Sequence, residues 1–161
     1  MEYSSQTSSA TNSILQLVSF TIGNEEFGVD ILKVQEINRM TAITRVPNAP
    51  EHVEGVINLR GKIIPIIDLR KRLGVDCNDH DKNTRIIVVE LVGKVLGFIV
   101  DSVSEVRRIP VSITERPPAM IAGIRGDYIT SIAKLEDRLL ILLDLEKILS
   151  ADEQEELAGI M

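Results

Sequence analysis

Aromatic residues are scarce in this chain. Among its 161 residues there is no tryptophan, and phenylalanine and tyrosine together number five, whereas isoleucine and valine number 22 and 15. The core must therefore be aliphatic, and β-branched side chains suit the pleated, half-buried surface of a sheet. A chain of this length buries either one substantial core or two small cores that share a face. The composition predicts a mainly β fold with few helices.

Cysteine is nearly absent, and so are long apolar runs. Cys77 is the single cysteine and cannot form an internal disulfide, so no oxidising compartment is required. No lysine or arginine precedes Lys33, which excludes the basic region of a secretion signal, and no apolar run approaches the roughly 18 residues of a membrane span. A formal net charge of -6 argues against nucleic acid as a partner. We expect a cytoplasmic protein without membrane insertion, whose partner is another protein.

Catalytic signatures are missing as well. His52 and His80 are the two side chains that titrate near neutrality when unperturbed, and neither lies in a motif. The nucleophile elbow G-x-S-x-G, the zinc motif H-E-x-x-H and the glycine-rich phosphate loops do not occur. The sequence therefore predicts a protein that is not an enzyme and holds no cofactor.

One polar segment is similar to a calcium-binding loop. Oxygen-bearing side chains have the spacing of positions 1, 3, 5 and 12 of such a loop: Asp79, Asp81, Asn83 and Glu90. Thr84 stands where glycine permits the sharp turn, and the residues after it have the pattern of a buried strand. Cys77 and His80 offer two further ligands, too few for a structural zinc site. A polar linker is the favoured interpretation, and a calcium-dependent module is the alternative.

Turn signals divide the chain into short apolar segments. Residues 1–13 hold five serines and two threonines with little to bury, which predicts a flexible tail. Short helices are predicted near 30–35, after Asp68, at 118–122 and over about 143–157. Dipeptides typical of hairpin turns separate the strand-like runs: Gly23-Asn24, Arg60-Gly61, Gly93-Lys94 and Glu136-Asp137.

The chain contains an internal repeat. A shift of 69 positions places residues 22–37 onto 91–106, and the run IIPIIDL at 63–69 falls on LLILLDL at 139–145. Units of about 65 residues bury too little surface to be stable alone, so the two copies should pack face to face. The repeat predicts two small β-barrels related by a pseudo-twofold axis, at about 14–80 and 82–145, with a third core shared between them.

Two basic runs are candidate phosphate sites. Arg70, Lys71 and Arg72 lie at the end of a short predicted helix, where cations favour the negative end of the helix dipole, so we expect a solvated helix end. Arg107 and Arg108 are adjacent on a predicted strand and therefore point to opposite faces. Neither run predicts a phosphate-binding site.

Three motifs together resemble the CheW family. They are EEFGVDILKVQEI at 25–37, GVINLRGKIIPIIDLR at 55–70 and RLLILLDLEKIL at 138–149, and the likeness covers nearly all of the chain after residue 13. The resemblance implies two five-stranded barrels and a non-enzymatic adaptor that couples the cytoplasmic hairpin tips of chemoreceptors to the regulatory domain of the CheA histidine kinase. The implied receptor-binding face, by matching motif positions, contains Val34, Glu36, Gly55, Arg60, Gly61 and Val106.

The residues themselves leave several of these roles open. Arg60 lies at a predicted hairpin tip, where its guanidinium can reach carboxylates or carbonyl groups of a partner, and Gly61 supplies a positive φ in the turn. Glu36 either holds a turn locally or pairs with Arg60 and orients it. Burial preferences favour Val34 as a core residue, and Gly55 is needed either for its backbone or for binding.

The kinase-binding face is less sharply marked. We place it in the loop 40–47, where Met40, Ile43 and Val46 offer apolar anchors beside a polar rim; alternatively, this loop folds back on the barrel. The chain is expected to be a monomer in isolation, recruited to membrane-associated receptor arrays by weak contacts that act through multivalency. A related scaffold of a non-chemotactic array, in pilus motility or second-messenger signalling, stays an alternative.

Overall fold

The computed structural model describes residues 13–49, 53–75, 80–118 and 128–148, and within them the chain is mainly β, which confirms the predicted fold class. The strands are β1 (Ile14–Ile22), β2 (Glu25–Asp30), β3 (Val34–Arg39), β4 (Val53–Leu59), β5 (Lys62–Asp68), β6 (Arg85–Leu91), β7 (Lys94–Val100), β8 (Ser102–Pro110), β9 (Thr114–Glu115), β10 (Ile129–Lys134) and β11 (Leu139–Leu143). The helical segments are two 3₁₀ turns, Ile31–Lys33 and Val111–Ile113, and two α-helices, Leu69–Arg72 and Leu145–Ile148.

The strands form two sheets. Sheet A has the order β8-β1-β2-β11-β10-β9, and sheet B has the order β3-β6-β7-β5-β4. Within the described residues neither sheet closes into the predicted barrel, because β8 and β9 remain outer strands of sheet A, and β3 and β4 remain outer strands of sheet B. The loop after β3 meets β4 at one isolated bridge, Thr44 to Val56, and β9 is two residues long. Too little backbone is paired at these positions to close either sheet.

The two repeats exchange strands. β1 and β2 of the first repeat lie between β8 and β11 of the second, while β6 and β7 of the second repeat lie between β3 and β5 of the first. Each exchange includes a parallel pair, β2 with β11 in sheet A and β7 with β5 in sheet B. Each sheet therefore contains strands of both repeats. Sheet B is built from the continuous segment 34–100, and sheet A is built from 14–30 and 102–143.

Apolar side chains form three clusters, one shared by the sheets and one belonging to each sheet. The shared cluster contains Phe20 and Phe27 of sheet A, whose ring centroids lie 5.8 Å apart, together with Ile87 and Phe98 of sheet B. Successive side chains of a strand point to opposite faces, so neighbours of these residues belong to the other clusters. The cluster of sheet B is Ile57, Ile64, Ile66, Ile86, Val88 and Ile99, and that of sheet A is Leu17, Ile109, Ala133, Leu140 and Leu142. The shared core predicted from the repeat is present.

Three of the four predicted hairpin turns lie at the predicted residues, between consecutive strands. The fourth, between β6 and β7, is Val92-Gly93, one residue earlier than predicted. Val92 has a φ of 50° and Arg60 a φ of 53°, both in the left-handed region that glycine or asparagine enters at lower cost. Two hairpin tips therefore carry side chains in an unfavourable backbone conformation.

Two of the predicted short helical segments are capped at their start by the side chain of an aspartate. The Asp30 carboxylate accepts a hydrogen bond from the N–H of Leu32 at 2.9 Å and so caps the 3₁₀ turn Ile31–Lys33. Asp68 caps the helix Leu69–Arg72 in the same way. The 3₁₀ turn ends where β3 begins, and the helix ends at Gly74, which has a φ of 77° and donates its N–H to the carbonyl group of Lys71 at 3.1 Å.

The other two predicted helices are described only in part. Most of the segment at 118–122 lies outside the described residues, and of the helix predicted at 143–157 the structure describes Leu145–Ile148. Among the described helices, none has the length and apolar character required to cross a bilayer.

Arg70 lies in the interior, so the expectation of a solvated helix end is wrong for this residue. Its side chain is 2% exposed. Nε and Nη2 of Arg70 donate to the two carboxylate oxygens of Asp68, both at 2.9 Å, and Nη1 donates to Asp101 at 3.2 Å. The second oxygen of Asp101 accepts from the N–H of Gly23 at 2.7 Å. Two carboxylates offset the cost of desolvating the guanidinium, and the network ties together the chain near the ends of β5, β7 and β1.

A second buried carboxylate, Glu26, connects several parts of sheet A. Glu26 is 7% exposed and accepts hydrogen bonds from the hydroxyl of Ser19, from Nε of Arg107 at 2.8 Å and from Nε of Arg138 at 2.7 Å. Burial acts to raise the pKa of Glu26, but the hydrogen bonds from these three side chains outweigh it and lower the pKa from 4.5 to about 2.

This lowered pKa predicts how stability depends on pH. The charged form of Glu26 is favoured by folding, so its contribution is complete above pH 4.5 and is lost as the pH falls toward 2. Each pKa unit corresponds to about 1.4 kcal/mol, so the fall from 4.5 to about 2 contributes at most ~3.5 kcal/mol at neutral pH. In urea titrations, Glu26→Gln should be less stable than the wild type at pH 7, with the gap narrowing between pH 4.5 and 2. A gap that stays constant across this range would contradict the prediction.

Candidate protein-interaction site

One end of sheet B gathers three chain segments. β3 begins opposite the last residues of β6, with Val34 paired to Val89, while β7 runs antiparallel to β6 and parallel to β5. The start of β3, the Val92-Gly93 turn and the Arg60-Gly61 turn therefore lie at the same end of the sheet. We call this region the hairpin end of sheet B.

An ion pair lies at the hairpin end. Nη2 of Arg60 donates to Oε2 of Glu36 on β3, although the Arg60-Gly61 turn follows β4 at the other edge of the sheet. The hydrogen bond from Arg60, supported by one from Asn38, lowers the pKa of Glu36, and the Glu36 carboxylate raises the pKa of Arg60. Of the two roles left open for Glu36, the structure shows pairing with Arg60. The Arg60 side chain nevertheless stays 71% exposed.

Gly61 and Gly55 shape the backbone around this pair. Gly61 has a φ of 86° and donates its N–H to Oδ1 of Asn58 at 2.8 Å, and a Cβ at this position meets no other heavy atom within 4 Å. Gly55 is buried in β4 with a φ of 152°, and a Cβ there would overlap the carbonyl group of Thr44 and lie 2.7 Å from Cγ2 of Ile43. Gly55 is therefore required for the close approach of the loop after β3.

Val34 and Val106 occupy different surroundings. Val34 is half-buried at the start of β3 and packs against the shared core, in keeping with its burial preference. Val106 lies on β8 of sheet A, opposite Val18, and is 54% exposed. Among the described contacts, none joins Val106 to Glu36 or Arg60. The structure thus brings four of the six predicted receptor-face residues to the hairpin end and leaves Gly55 and Val106 elsewhere.

The loop 40–47 lies partly against sheet B. Met40 and Ile43 pack on the cluster of that sheet, and Thr44 exchanges backbone hydrogen bonds with Val56 at 2.9 Å. Val46 is half-buried. Packing on the sheet limits the area that Met40 and Ile43 offer to a partner, and the kinase-binding role of this loop stays a prediction.

Sequence reasoning missed three exposed apolar residues at the hairpin end. Leu32 precedes β3, Ile63 is the second residue of β5 and Val92 opens the turn between β6 and β7, and they are 87%, 56% and 67% exposed. Ile63 directly precedes the buried run 64–70 and Val92 directly follows the buried Leu91, so the apolar pattern alone gave no sign of the exposure of these two residues. For Val92 the sequence did carry a signal: a β-branched residue directly before glycine in a tight turn, where asparagine, aspartate or glycine is usual.

A groove of about 780 Å³ opens beside Leu32. It is lined by the start of β1, the end of β2, the 3₁₀ turn Ile31–Lys33 and the start of the helix Leu145–Ile148. Two lining residues, Lys33 and Glu146, form an ion pair at 2.6 Å, which raises the pKa of Lys33. The groove thus lies mainly on sheet A, and Leu91 is its one lining residue from a strand of sheet B.

The proposed calcium-loop residues have other partners. Oδ1 of Asp81 accepts from the N–H of Asn83 at 2.7 Å, and Glu90 lies on β6, where it accepts from Gln35 at 3.5 Å. Asp79 lies outside the described residues. In the part of the chain that the structure describes, no three His, Cys, Asp or Glu side chains are grouped to hold a metal ion.

A two-sheet scaffold that displays an anchored arginine beside exposed apolar side chains has the features of a protein-binding module. The chain belongs to the CheW-like domain family, which it matches over residues 16–153 and which its three motifs already resembled.

Named relatives and a solved structure agree with this family. The chain is 42% identical over 138 residues to the chemotaxis protein CheW of Klebsiella aerogenes, covering 86% of this chain and 83% of that protein. It is 31% identical over 140 residues to the chemotaxis protein CheW of Bacillus subtilis, covering 87% and 90%. The crystal structure of the scaffolding protein TtCheW from Thermoanaerobacter tengcongensis superposes with a TM-score of 0.78 at 40% identity, covering 86% of this chain and 94% of that one.

Proposed function

We propose that this chain is a coupling adaptor, which binds the cytoplasmic hairpin tips of chemoreceptors on one surface and the regulatory domain of the CheA histidine kinase on another. It acts through these contacts alone, in the cytoplasm, without covalent chemistry and without a cofactor. Membership of the CheW-like family supports this function, and the relatives described above are named as chemotaxis proteins. That naming favours chemotaxis over an array for pilus motility or second-messenger signalling.

The observation that carries the receptor-binding proposal is the geometry of Arg60. Glu36 holds the guanidinium from one side, while the side chain is 71% exposed at a hairpin tip. A guanidinium has five N–H donors in a planar fork, so donors remain for carboxylates or for the carbonyl groups at the end of a partner helix. Because Glu36 has already restricted the side chain, less conformational entropy is lost when a receptor binds.

We place the kinase contact on the loop 40–47, with Met40, Ile43 and Val46 as its apolar part. The bridge from Thr44 to Val56 fixes the path of this loop along β4. A contact that buries a small area is weak. Receptor and kinase binding should therefore each be micromolar in isolation and become effective in an array through multivalency.

Arg60→Ala tests the receptor contact. The variant should lose about 2 kcal/mol of affinity for a receptor cytoplasmic fragment, roughly thirtyfold, as expected for a hot-spot arginine. Binding to the CheA regulatory domain should be unchanged, because the substitution leaves the loop 40–47 and its bridge to β4 intact. Isothermal titration calorimetry with each partner separately measures both affinities, and pull-downs with both partners show whether the wild type bridges them.

The matched control is Arg116→Ala, which removes another exposed arginine, directly after β9 and at the opposite edge of sheet A from Val106. A change below twofold for Arg60→Ala contradicts the assignment of Arg60. If the wild type binds neither partner, the coupling function itself is wrong.

A further inference from the structure

Two arginines lie directly opposite each other on neighbouring strands of sheet B. Arg39 is the last residue of β3 and Arg85 is the first residue of β6, and the register of the two strands pairs them. Side chains in such a pair point to the same face, and like charges there destabilise the sheet. In the part of the chain that the structure describes, no carboxylate forms an ion pair with either residue. We call Arg39 and Arg85 the arginine pair.

The arginine pair has hydrogen-bond donors to spare. Nη1 of Arg85 donates to the carbonyl groups of Lys82 at 2.8 Å and Thr84 at 2.9 Å, which fixes the guanidinium. The N–H of Nε and the two N–H groups of Nη2 remain for an anion. Arg39 is exposed, and no described residue forms a hydrogen bond with its side chain. Two guanidinium groups side by side therefore offer a site for carboxylates.

The carboxylates at this end of sheet B are already engaged. They accept hydrogen bonds from other side chains or from backbone N–H groups: Asp68, Asp101, Glu54 and Asp81. A further cation, Lys82, is exposed three residues before Arg85. The positive charge of the arginine pair is therefore not neutralised by the described residues around it.

Sheet A covers only part of the face on which the arginine pair lies. Ile87, two residues after Arg85 on β6, belongs to the core shared by the two sheets, and alternation places Arg85 on the same face. Ile37 lies opposite Ile87 on β3 and is 39% exposed. Over β3 this face thus carries an exposed isoleucine beside two arginines, where another segment can still pack.

The described chain ends on the same face. Ile148 is 1% exposed within the shared core, and its carbonyl group accepts from Nε of Arg72 at 3.1 Å. Arg72 ends the short helix that follows β5, and β5 is parallel to β7, whose last residue, Val100, is paired with Arg85. The segment 149–161 therefore begins near the end of sheet B that carries the arginine pair.

This segment is acidic and long enough to reach the arginine pair. It contains no lysine or arginine, and four of the five residues 152–156 are acidic: Asp152, Glu153, Glu155 and Glu156. An extended chain spans about 3.3 Å per residue, so Glu156 can lie up to roughly 26 Å from Ile148. Neighbouring strands are about 4.8 Å apart, which puts β3 roughly 10 Å from β7. Because the segment is tethered, its effective concentration is of the order of millimolar, an advantage over a separate acidic partner.

We propose that the segment 149–161 is a strap that crosses this face of sheet B, with its carboxylates bound to the arginine pair and Ile37 covered beneath it. The strap removes the repulsion between Arg39 and Arg85. It also shields β3, an outer strand that is otherwise open to pairing with another chain. Because the contacts are ion pairs at the surface, salt releases the strap. The inference does not rest on the proposed coupling function.

The test places a nitroxide spin label on the segment of the full chain, in a parent protein that carries Cys77→Ser and Ala158→Cys. At low salt the amide signals of Arg39 and Arg85 should lose roughly half of their intensity or more relative to the reduced label, and they should recover in 1 M salt, where the Debye length is about 3 Å. The amide of Glu115, on the outer strand β9 of sheet A, should keep its intensity under both conditions.

Neutral and reversed charges show whether the arginine pair makes the contact. The loss of signal at residues 39 and 85 should shrink in Arg39→Gln and in Arg85→Gln and should vanish when both are combined. Arg108→Gln, which removes an exposed arginine on β8 of sheet A, is the control and should leave the loss unchanged. Arg39→Glu with Arg85→Glu should also abolish the loss, and replacing the four acidic residues with lysine in that background should restore it.

Three outcomes would overturn the inference. The first is no loss of signal in the labelled parent, which would mean that the segment lies elsewhere and leaves the arginine pair to other acidic groups. The second is a loss that persists in the double glutamine variant, because the segment then lies at this end for another reason. The third is a loss seen when labelled chain is mixed with unlabelled, isotope-enriched chain, because the segment of a second copy then occupies the pair. None of these outcomes changes the binding results for Arg60→Ala, so the coupling function is tested separately.

Discussion

Replacing Arg70 with alanine should destabilise the fold by about 3–5 kcal/mol, one of the two largest effects expected for a single substitution in this protein. The substitution leaves the carboxylate of Asp68, which is 2% exposed, without its two hydrogen bonds from the guanidinium, and it removes one bond from Asp101. The carboxylate keeps its hydrogen bond from the N–H of residue 70, but without the cation the cost of desolvating its charge is no longer offset, and this cost exceeds the net stabilisation that the intact pair contributes. Guanidinium chloride titrations followed by circular dichroism measure the loss.

Lys71→Ala is the matched control for Arg70→Ala. Lys71 is the next residue in the same short helix, and its side chain is 53% exposed with an ion pair to Glu54 at 2.7 Å. Surface ion pairs of this kind contribute about 0–1 kcal/mol. Equal effects of the two substitutions would show that the Arg70 network is solvated in solution.

Gly55→Ala should cost a similar amount, about 3–5 kcal/mol, for a different reason. The added Cβ would overlap the carbonyl group of Thr44, and the φ of 152° is itself unfavourable for a residue with a side chain. The loop after β3 would have to move away from β4, and the hydrogen bonds between Thr44 and Val56 would be lost. Denaturant titration measures the cost, and the amide exchange rate of Val56 reports whether the loop has moved.

Gly61→Ala is the corresponding control. Gly61 also has a positive φ, 86°, but no heavy atom lies within 4 Å of its added Cβ, so only the conformational cost of about 1 kcal/mol is expected. If Gly55→Ala destabilises the protein no more than Gly61→Ala, the close approach of Thr44 is not the reason that position 55 requires glycine. Reduced receptor binding by Gly55 variants would, on this account, follow from displacement of the loop and not from a lost contact.

The sequence predicts the fold class well because its signals are local. Alternating apolar residues and turn dipeptides define strands one at a time, and the repeat shows that the two halves share a pattern. The exchange of β1 and β2 with β6 and β7 could not be predicted in the same way. Pairing within a repeat and pairing between repeats satisfy the same apolar pattern, since equivalent strands carry equivalent side chains. The topology is decided by whether the strands of one repeat pair with each other or with strands of the other repeat, and the repeat offset carries no such information.

In the candidate site, too, local features could be predicted from the sequence and long-range contacts could not. The position of Arg60 at a hairpin tip is a local property, and it was predicted from the Arg60-Gly61 dipeptide. Whether Glu36 reaches Arg60 depends on the curvature of sheet B, which brings its two outer strands together at one end. The burial of Arg70 likewise depends on Asp101, a residue far along the chain. Long-range charge partners of this kind have no signature in the sequence near either residue.

The strand exchange also determines when each sheet can be completed during synthesis of the chain. Among the described strands, β1 and β2 are synthesised first, yet β2 pairs with β11, which is synthesised last. Sheet B, built from one continuous segment, has all its strands available much earlier. The face of the opening hairpin that carries Leu17 therefore stays uncovered until β11 supplies Leu140 and Leu142, whereas Phe20 and Phe27 on its other face can already pack against sheet B.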